Sequence, residues 1–507
     1  MADRRPSSSA KDEAVVLETI ASYCVPYSPV TILQDMASAM EKGYDLALDV
    51  LDGKTNDCYK VYVKNSPDLA VFCKLCNHYA KWDPLQTKLD GRTDQEFQTM
   101  KILSTYTEED SSTAVAGDIL PTPYFCHTLE DGRKLLVTEY VDSNVTWGTH
   151  FVSTKNTNSS IVPTLIKALA KLHCYSSKDL HHMEEAGEDF PFTASPFYPV
   201  FLSIMNDAKA RLAATVTGLD DSRTGCLAQE YGQAVCNELL DTVVLNFGFC
   251  QDCLVHNDLH AFNILVNPQP AKGDETIDDG ELGALSRFAV PWVKADKDLS
   301  VKICDWEVAG LGPIGRDVGL LIGWPIACLL WHTKLGSELK AVEILDLIND
   351  IWDEYHDALK MYGEKDEVFL AKTFRNVIGW AGWFLFVNVY TYGAFTEHWI
   401  PNKQSQSNSK DMDHVRDSIG YVGLKLLHMG FYGDEESQVS LFELRDGFFH
   451  ALQSEQDAML GISSYIPRDH RNSVLLYTRR SSCHSDLGSQ ELSFGDSFKP
   501  RRDSHVM

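Results

Sequence analysis

The feature that most constrains the fold is a pair of polar motifs, each associated with an apolar strand. The first is the segment HNDLHAFN at His256–Asn263. The second is DWE at Asp305–Glu307, which ends the apolar strand predicted for Val301–Cys304. Transfer of a phosphoryl group needs a carboxylate that orients or deprotonates a hydroxyl, and hard oxygen ligands for magnesium. These residue types, in this order, indicate a phosphoryl-transfer site.

Each polar residue of the two motifs has a predicted role. Asp258 is the catalytic base, and His256 braces the loop rather than transferring protons. Asn263 and Asp305 hold magnesium, and Glu307 binds a second ion or a metal-bound water. The alternative is an acidic loop that caps helices. It would not explain Lys74 or the strand Leu135–Val141, which lie upstream.

A lysine lies inside an apolar strand upstream of these motifs. Lys74 falls within the predicted strand Leu69–Leu75, and Glu96 falls on the next predicted helix, Thr93–Ser104. Because a buried ammonium group needs a partner, we expect an ion pair between them. Such a strand–helix pair holds the α- and β-phosphates of ATP in kinase-like folds. A solvated lysine on an edge strand is the alternative.

The predicted first hairpin joins the strands Leu46–Leu51 and Cys58–Val63 through an Asp-Gly turn. Gly53 permits a positive φ angle, and Thr55 and Asn56 offer polar groups to phosphates. The turn has one glycine instead of three, so it is not the glycine-rich loop of protein kinases. Asp-Gly hairpins also occur in many proteins that bind no phosphate.

Two further segments fit an ATP site. The strand Leu135–Val141 runs into a polar exit, where the backbone of Glu139, Tyr140 and Val141 would hydrogen-bond adenine. Asp317 follows the sequence GPIGR and precedes an apolar helix. We expect its carboxylate to tie down the catalytic-loop backbone, to cap that helix, or both.

The pattern divides the chain into a disordered start (1–12), a sheet lobe that binds ATP (13–141) and a mainly helical lobe (142–462). An acidic insert, 268–298, interrupts the helical lobe. The Ser- and Arg-rich residues 463–507 are predicted to be a disordered tail.

The uncharged segment Val377–Phe395 is predicted to be a buried helix rather than a membrane span, because it contains polar side chains and glycines. The shorter apolar segment Val318–Trp331 contains Pro325 and is likewise predicted to be a core helix. The first residues contain no apolar run, which argues against a secretory signal.

Charge and cysteine content narrow the function classes. The net charge is −27 over 507 residues, which argues against sequence-independent binding to nucleic acid. The 13 cysteines have no regular spacing, which favours reduced thiols and a cytoplasmic location. Zinc binding by the segments Cys250–His260 and Cys73–His78 is an alternative. It is disfavoured because Cys73 and Cys76 flank a strand lysine.

These residues resemble the small-molecule kinases with a protein-kinase-like fold, a group that includes aminoglycoside phosphotransferases, choline/ethanolamine kinases and methylthioribose kinases. The resemblance covers residues 45–460 and implies the roles given above. The segments Lys74–Lys81, Leu89–Arg92 and Gly312–Gly319 look like methylthioribose kinase. Against this subfamily, its paired substrate arginines would fall near Val387 and Asn388, and it has serine where this chain has Asn263.

Other residues look more like choline/ethanolamine kinase, namely His256–Asp258 and Asp52–Asn56. Trp380, Trp383 and Tyr390 would then line a box for a substrate cation. A place in the helix core is the alternative for these rings.

The sequence therefore predicts an α+β, bilobal protein-kinase-like fold, with a small antiparallel sheet lobe and a large helical lobe. It predicts a kinase that uses ATP and Mg²⁺ to phosphorylate a small-molecule alcohol, with a methylthioribose-like sugar first and choline or ethanolamine second. An aminoglycoside-type phosphotransferase and a silent binding module are further alternatives. No Asp-Phe-Gly or Ala-Pro-Glu motif is present, which argues against a protein kinase. A homodimer remains open.

Overall fold

The computed structural model describes residues 9–51, 56–80, 83–88, 91–105, 119–141, 145–148, 161–177, 193–218, 222–267, 300–336, 338–363, 365–391, 409–432 and 439–461. The described residues up to Leu460 belong to one compact unit. The turn at Asp52–Thr55, the acidic insert and the predicted tail lie outside the described residues.

A five-stranded antiparallel sheet dominates the first part of the chain. Its strands are β1 (Leu46–Leu51), β2 (Asp57–Val63), β3 (Ser66–Cys76), β6 (Pro123–Thr128) and β7 (Lys134–Glu139). The strand order is β1-β2-β3-β7-β6, so β3 lies at the centre with β2 on one side and β7 on the other. A lysine on β3 is therefore surrounded by sheet on both sides, and the edge-strand alternative is wrong.

Two N-terminal helices cover one face of this sheet. They are α1 (Ala10–Tyr23) and α2 (Thr31–Glu41), and Ser9 caps the first through the N–H of Asp12. Side chains of α1 and α2 share a core with alternate residues of β3, namely Val71, Cys73 and Leu75. Because successive strand residues point to opposite faces, Lys74 must face away from this core. Helix α1 begins three residues before the predicted ordered region.

The other face of the sheet carries α3 (Arg92–Thr105). It follows a two-stranded hairpin formed by β4 (Tyr79–Ala80) and β5 (Asp83–Lys88). Helix α3 contacts β6 and β7 of the sheet and also the short 3-10 helix Trp306–Val308 of the second lobe. Residues on α3 can therefore reach the DWE motif.

The second lobe is mainly helical. Its helices are α4 (Val162–Tyr175), α5 (Tyr198–Thr217), α6 (Arg223–Phe249), α7 (Arg316–Leu335), α8 (Glu338–Gly363), α9 (Glu367–Leu385), α10 (Ser409–Phe431) and α11 (Leu441–Met459). A π-helical turn, Phe386–Thr391, continues α9.

Short strands hold the two polar motifs between these helices. The strands are β8 (Val145–Thr146), β9 (Cys253–Val255), β10 (Ile264–Asn267), β11 (Ser300–Ile303) and β12 (Gly310–Gly312). Strand β10 pairs with β8 and β11, whereas β9 pairs with β12. The HNDLHAFN segment thus runs from β9 to β10, and the DWE motif runs from β11 towards β12.

Glycines allow α7, α9 and α10 to pack closely. A Cβ atom on Gly319 of α7 would lie 2.5 Å from Cβ of Trp380 of α9. A Cβ atom on Gly430 of α10 would lie 2.2 Å from Cα of Gly379. These distances are too short for real atoms, so the helix contacts require glycine.

Both apolar segments are buried in this lobe. Helix α7 is long and apolar enough to cross a membrane by length and composition alone, but 78% of its apolar window is buried inside the protein. Helix α9 is also buried from Val377 to Leu385. Both therefore pack as core helices.

The α+β class and the division into a small antiparallel-sheet part and a larger, mainly helical part are confirmed. Strand β1 matches its predicted bounds, whereas helix α9 ends at Leu385 and continues as a π-helix instead of an α-helix to Phe395. The described part of the segment ends at Thr391.

Candidate active site

Lys74 reaches the cleft from the central strand of the sheet. Its ammonium group donates to Oε2 of Glu96 on α3 at 2.9 Å. Both side chains are buried, with 5% and 3% exposure. The predicted strand–helix pair is therefore present.

The same ammonium group contacts both acids of the DWE motif. Nζ of Lys74 lies 2.5 Å from Oδ1 of Asp305 and 3.0 Å from Oε2 of Glu307. Asp305 has a φ of 68°, a left-handed conformation that aspartate tolerates better than most residues. This turn directs the carboxylate back to the strand lysine. Lys74 thus links the two lobes through the carboxylates of Asp305 and Glu307, whereas Glu96 belongs to its own lobe.

Glu307 has two further partners. The amide nitrogen of Asn56 donates to its Oε2 at 3.1 Å, and Nη1 of Arg92 lies 3.7 Å from its Oε1. Asn56 was predicted to face phosphates, but its amide nitrogen bonds the DWE motif instead. Its buried Oδ1 has no hydrogen-bond partner among the described residues. Arg92, at the start of α3, is a cation that the sequence analysis did not assign to the site.

The donor set fits a divalent cation. One carboxylate oxygen each from Glu96, Asp305 and Glu307 lies within 4.8 Å of the others. Among described side chains, that group carries three negative charges against the ammonium of Lys74 and the guanidinium of Arg92. Desolvation works against the charge of Lys74, but Asp305, Glu307 and Glu96 outweigh it and hold its pKa well above the ordinary value. Hard oxygen ligands in excess of nearby cations suit Mg²⁺.

Asp258 lies on a sharply turned loop between β9 and β10. Asn257 before it has a φ of 69°, which asparagine adopts more readily than most residues. The amide nitrogen of Asn263 donates to the backbone carbonyl of Asp258 at 2.9 Å and lies 3.4 Å from its Oδ2. Asn263 therefore contacts the predicted base, and its amide oxygen is the atom that would meet a metal.

His256 is buried and braces this loop. Its Nδ1 accepts a hydrogen bond from the N–H of Asp258 at 3.3 Å, and its Nε2 lies 2.9 Å from the carbonyl oxygen of Cys304. A neutral ring with its proton on Nε2 satisfies both contacts. His256 thereby joins the Asp258 loop to the residue before Asp305. Both ring nitrogens are engaged, which fits bracing and not proton transfer.

Asp317 lies in the first turn of α7 and supports the same loop. Its Oδ2 accepts from the N–H of His256 at 2.7 Å, and its Oδ1 accepts from the N–H of Asn257 at 2.9 Å. Nε2 of His173 lies 3.3 Å from Oδ2, and Nδ1 of His173 lies 2.7 Å from the hydroxyl of Tyr355. Burial opposes the charge, yet the hydrogen bond from His173 and those from the loop hold the pKa of Asp317 below its ordinary value.

The pKa of Asp258 is raised to about 7. The side chain lies in the cleft with 51% of its surface exposed, and partial desolvation by the surrounding protein is the largest cause. The negative charges of Asp305 and Glu307 act in the same direction, whereas the positive charge of Arg316 opposes them. A base with this pKa is matched to neutral pH.

The predicted hinge lies at the end of β7. The backbone N–H of Glu139 donates to the carbonyl of Thr122 at 2.8 Å, so this N–H is not available to adenine. The carboxylate of Glu139 accepts from Thr122, and the ring of Tyr140 lies 4.3 Å from Nζ of Lys60. The carbonyl of Glu139 and the backbone of Tyr140 and Val141 are the groups that remain to hydrogen-bond adenine.

The predicted cation box is wrong for a substrate. Trp380 is fully buried and Trp383 is 7% exposed. Their rings enclose the guanidinium of Arg316, whose central carbon lies 4.1 Å and 5.0 Å from the two ring centroids. These tryptophans are core residues around an internal cation. The side chain of Tyr390 and residue Thr55 lie outside the described part of the structure.

The zinc alternative finds no support in the described residues. There, the potential metal group is made of carboxylates alone, and Cys73, Cys76, Cys250 and Cys253 form no disulfide and belong to no metal group. Cys73 lies in the core under α1 and α2, on the opposite face of β3 from Lys74.

Arg92, Arg316 and His173 were missed by the sequence analysis. Arg92 precedes Glu96 by one helical turn, so helical spacing could have placed it beside the same carboxylates. Arg316 is the first residue of a long apolar helix and directly precedes Asp317, and this position could have marked it as a buried cation. His173 carries no such signal, because the end of a helix is a common position for histidine.

Comparisons with known proteins give distant likenesses. No protein-family model and no curated protein matches the chain. Among solved structures, an ethanolamine kinase from Plasmodium vivax is similar, with 10% identity, a TM-score of 0.32, and coverage of 91% of this chain and 96% of that chain. A glucosamine kinase in complex with glucosamine, ADP and inorganic phosphate has 11% identity, a TM-score of 0.37, and coverage of 88% and 87%. Likenesses of this size establish neither activity nor substrate.

Proposed function

We propose that this chain is an ATP-dependent phosphotransferase that phosphorylates a hydroxyl group of a small metabolite. The observation that carries the proposal is the cluster in which Lys74 of the sheet meets the carboxylates of Glu96, Asp305 and Glu307. Beside this cluster lies Asp258, close enough for Asp305 to raise its pKa. A base, a lysine and hard oxygen ligands are the parts that phosphoryl transfer requires.

The chain's residues suit ATP and magnesium as follows. Bound Mg²⁺ would neutralise phosphate charge, and Asp305, Glu307 and the amide oxygen of Asn263 would hold it. Lys74, kept in place by Glu96, would contact the phosphates. The backbone at Glu139–Val141 would face adenine.

Asp258 is the residue proposed to act on the acceptor. It would receive the proton of the acceptor hydroxyl as that oxygen bonds to the γ-phosphorus of ATP and the bond from this phosphorus to ADP breaks. His256, Asn263 and Asp317 fix the loop that presents it. A fixed base near the reacting oxygen lowers the entropic part of the barrier.

The acceptor that we favour is a hydroxyl group of a neutral sugar of the methylthioribose type. Supporting this choice, Trp380 and Trp383, the rings that would have enclosed a quaternary ammonium group, already enclose Arg316. Choline and ethanolamine are the second candidates and would need another set of aromatic or acidic contacts. An aminoglycoside is the third.

The test is ATP consumption by the purified chain with Mg²⁺ against methylthioribose, choline, ethanolamine, glucosamine and aminoglycosides. The Asp258→Asn variant is the matched control for contaminating activity. Saturable turnover of one alcohol, absent in the variant, supports the proposal. Magnesium-dependent ATP binding without turnover of any acceptor favours a binding module, and absence of ATP binding rejects both.

A further inference from the structure

We infer that Arg316 is a positioning residue of this site: its caged guanidinium holds the backbone turn that presents Asp258. The inference rests on the proposed function for its effect on turnover. The arrangement of the cage and the turn can be tested without any substrate.

The cage is built from three helices. The guanidinium carbon of Arg316 lies 4.1 Å from the ring of Trp380, 4.4 Å from Phe247, 5.0 Å from Trp383 and 5.4 Å from Phe201. Phe201 belongs to α5, Phe247 to α6 and the tryptophans to α9. Ring faces at these distances attract a cation, and the attraction is strongest where water is excluded. Arg316 itself is fully buried.

The guanidinium is poorly satisfied by hydrogen bonds. Its Nε and Nη1 have no hydrogen-bond partner among the described residues. It also lies in the first turn of α7, where the helix dipole disfavours a positive charge. The carboxylates of Asp317 and Asp258 attract the guanidinium, but a buried cation with two unsatisfied nitrogens is still costly. The ring faces attract the charge but satisfy none of its N–H groups, so the guanidinium calls for a reason beyond the cage itself.

The remaining contact supplies that reason. Nη2 of Arg316 donates to the backbone carbonyl of Asn257 at 3.1 Å. That carbonyl belongs to the peptide that joins Asn257 to Asp258, and Asn257 is the residue with a φ of 69°. The neighbouring Asp317 accepts from the N–H groups of His256 and Asn257. Consecutive residues of α7 thus hold the turn by its carbonyl and by its N–H groups.

The two kinds of contact constrain different motions. The Asp317 bonds fix where the loop enters the turn, whereas the Arg316 bond fixes the plane of the peptide just before Asp258. That peptide directs the Asp258 side chain into the cleft. Loss of the Arg316 hydrogen bond would therefore let the carboxylate change direction, while the contacts of Lys74 with Glu96, Asp305 and Glu307 stay intact. The expected signature is a lower kcat with little change in KM for ATP.

The test compares Arg316→Met, which keeps a long apolar side chain in the cage, with Arg316→Lys and Arg316→Ala. We expect Arg316→Met to lower kcat about 10- to 100-fold, the scale of a misplaced catalytic group, with KM for ATP changed by less than about twofold. Arg316→Lys should recover part of the loss. In Arg316→Ala, millimolar guanidinium should restore turnover saturably and raise the melting temperature, an effect not expected for the wild-type chain.

Hydrogen exchange of the peptide spanning Cys253–Asn263 supplies a readout that needs no substrate. Exchange should increase in Arg316→Met and return towards wild type in Arg316→Ala with guanidinium. Unchanged kcat and unchanged exchange in Arg316→Met would overturn the inference. The inference would also be overturned if kcat fell, KM for ATP rose and the melting temperature fell together, with no rescue by Arg316→Lys or guanidinium. A purely structural role predicts that pattern. If the wild-type chain turns over no acceptor, the proposed function fails while the exchange experiment still decides the role of Arg316.

Discussion

The ammonium nitrogen of Lys74 lies 3.0 Å from Oε2 of Glu307, so a strand residue of the sheet lobe is paired with a carboxylate of the helical lobe. The same nitrogen contacts Asp305 at 2.5 Å and Glu96 at 2.9 Å. In this arrangement the lysine occupies the position among the carboxylates that a metal ion would compete for. Binding of magnesium and nucleotide would therefore redistribute the contacts of Lys74 from carboxylates to phosphates.

Removal of Lys74 should reveal this competition. In Lys74→Met, three buried or partly buried carboxylates lose their shared cation, so we expect the free energy of unfolding to fall by about 3–5 kcal/mol, as for other broken buried pairs. Added Mg²⁺ should then raise the melting temperature of the variant more than that of the wild-type chain. Thermal unfolding with and without Mg²⁺ measures both effects.

A matched control for this prediction is Lys64→Met. Lys64 pairs with Asp45 at 3.5 Å, but both side chains are exposed, so the expected loss is about 0–1 kcal/mol. Its response to Mg²⁺ should equal that of the wild-type chain. Equal magnesium responses in Lys74→Met and Lys64→Met would contradict a metal site at the three carboxylates.

Replacement of Asp258 should remove turnover and leave the fold intact. A positioned general base contributes about 10²- to 10⁴-fold to rate, so kcat of Asp258→Asn should fall by that factor. The affinity for nucleotide, measured by calorimetry, should stay near the wild-type value because Lys74 is untouched. Asp241→Asn is the control, since Asp241 is an exposed residue paired with Lys209 on the helix surface. Near-normal activity in Asp258→Asn would reject the assignment of the base.

The lysine and the DWE motif show what the sequence can predict. Lys74 lies in an apolar strand, and strand alternation places it opposite the side chains of Val71, Cys73 and Leu75. Glu96 follows on the next helix, so the pair depends on elements that are neighbours in sequence. For the same reason the predicted strand Leu69–Leu75 and the predicted helix Thr93–Ser104 fall within the observed strand Ser66–Cys76 and the observed helix Arg92–Thr105.

The cage of Arg316 shows what the sequence cannot predict. Helical spacing places Trp380 and Trp383 near one face of α9, but it does not say which side chain lies opposite them. That side chain comes from a helix that begins at Arg316, and the cage is completed by Phe201 and Phe247 from two other helices. Contacts among four distant segments depend on the tertiary packing. The sequence therefore left both a helix core and a substrate box open for these rings.

Activity should depend on pH through Asp258. Because desolvation, Asp305 and Glu307 raise its pKa to about 7, the base is mostly protonated below that pH. We expect kcat/KM to rise about tenfold per pH unit below pH 7 and to level off above it. A profile that is flat between pH 5.5 and 8 would contradict this role.

The same raised pKa predicts a change in stability with the opposite sign. Between the ordinary pKa of an aspartate and the raised value, the folded chain binds more protons at Asp258 than the unfolded chain does, so this group's contribution to stability falls as pH rises. Asp258→Asn cannot ionise and should escape this loss. Its melting temperature relative to wild type should therefore be higher at pH 8 than at pH 5. A difference that is the same at both pH values would show that the pKa is not raised.

Asp305 should be needed to bind the metal. In Asp305→Asn one of the three carboxylates is lost, and we expect the affinity for ATP in the presence of Mg²⁺ to fall at least about tenfold, as for other changes around metal sites. Binding of ATP in the presence of a chelator should change much less. Titration calorimetry under the two conditions separates these effects. Unchanged affinity in Mg²⁺ would refute the metal role of Asp305.

Close packing between α9 and α10 should make Gly430 intolerant of a side chain. A Cβ atom there would lie 2.2 Å from Cα of Gly379, so both helices would have to separate, and such overpacking costs about 1–3 kcal/mol. Gly447 on α11 is the matched control, because its Cβ would meet the end of the Met429 side chain at 3.5 Å, an ordinary contact. Alanine favours helix over glycine, so Gly447→Ala should gain about 0.5–1 kcal/mol. Denaturant unfolding of the two variants measures the difference.

Because α9 also carries Trp380 and Trp383, separation of these helices should loosen the cage of Arg316, and Gly430→Ala should lose kcat as well as stability. Equal stability of the two variants would mean that the helices are not held at this distance.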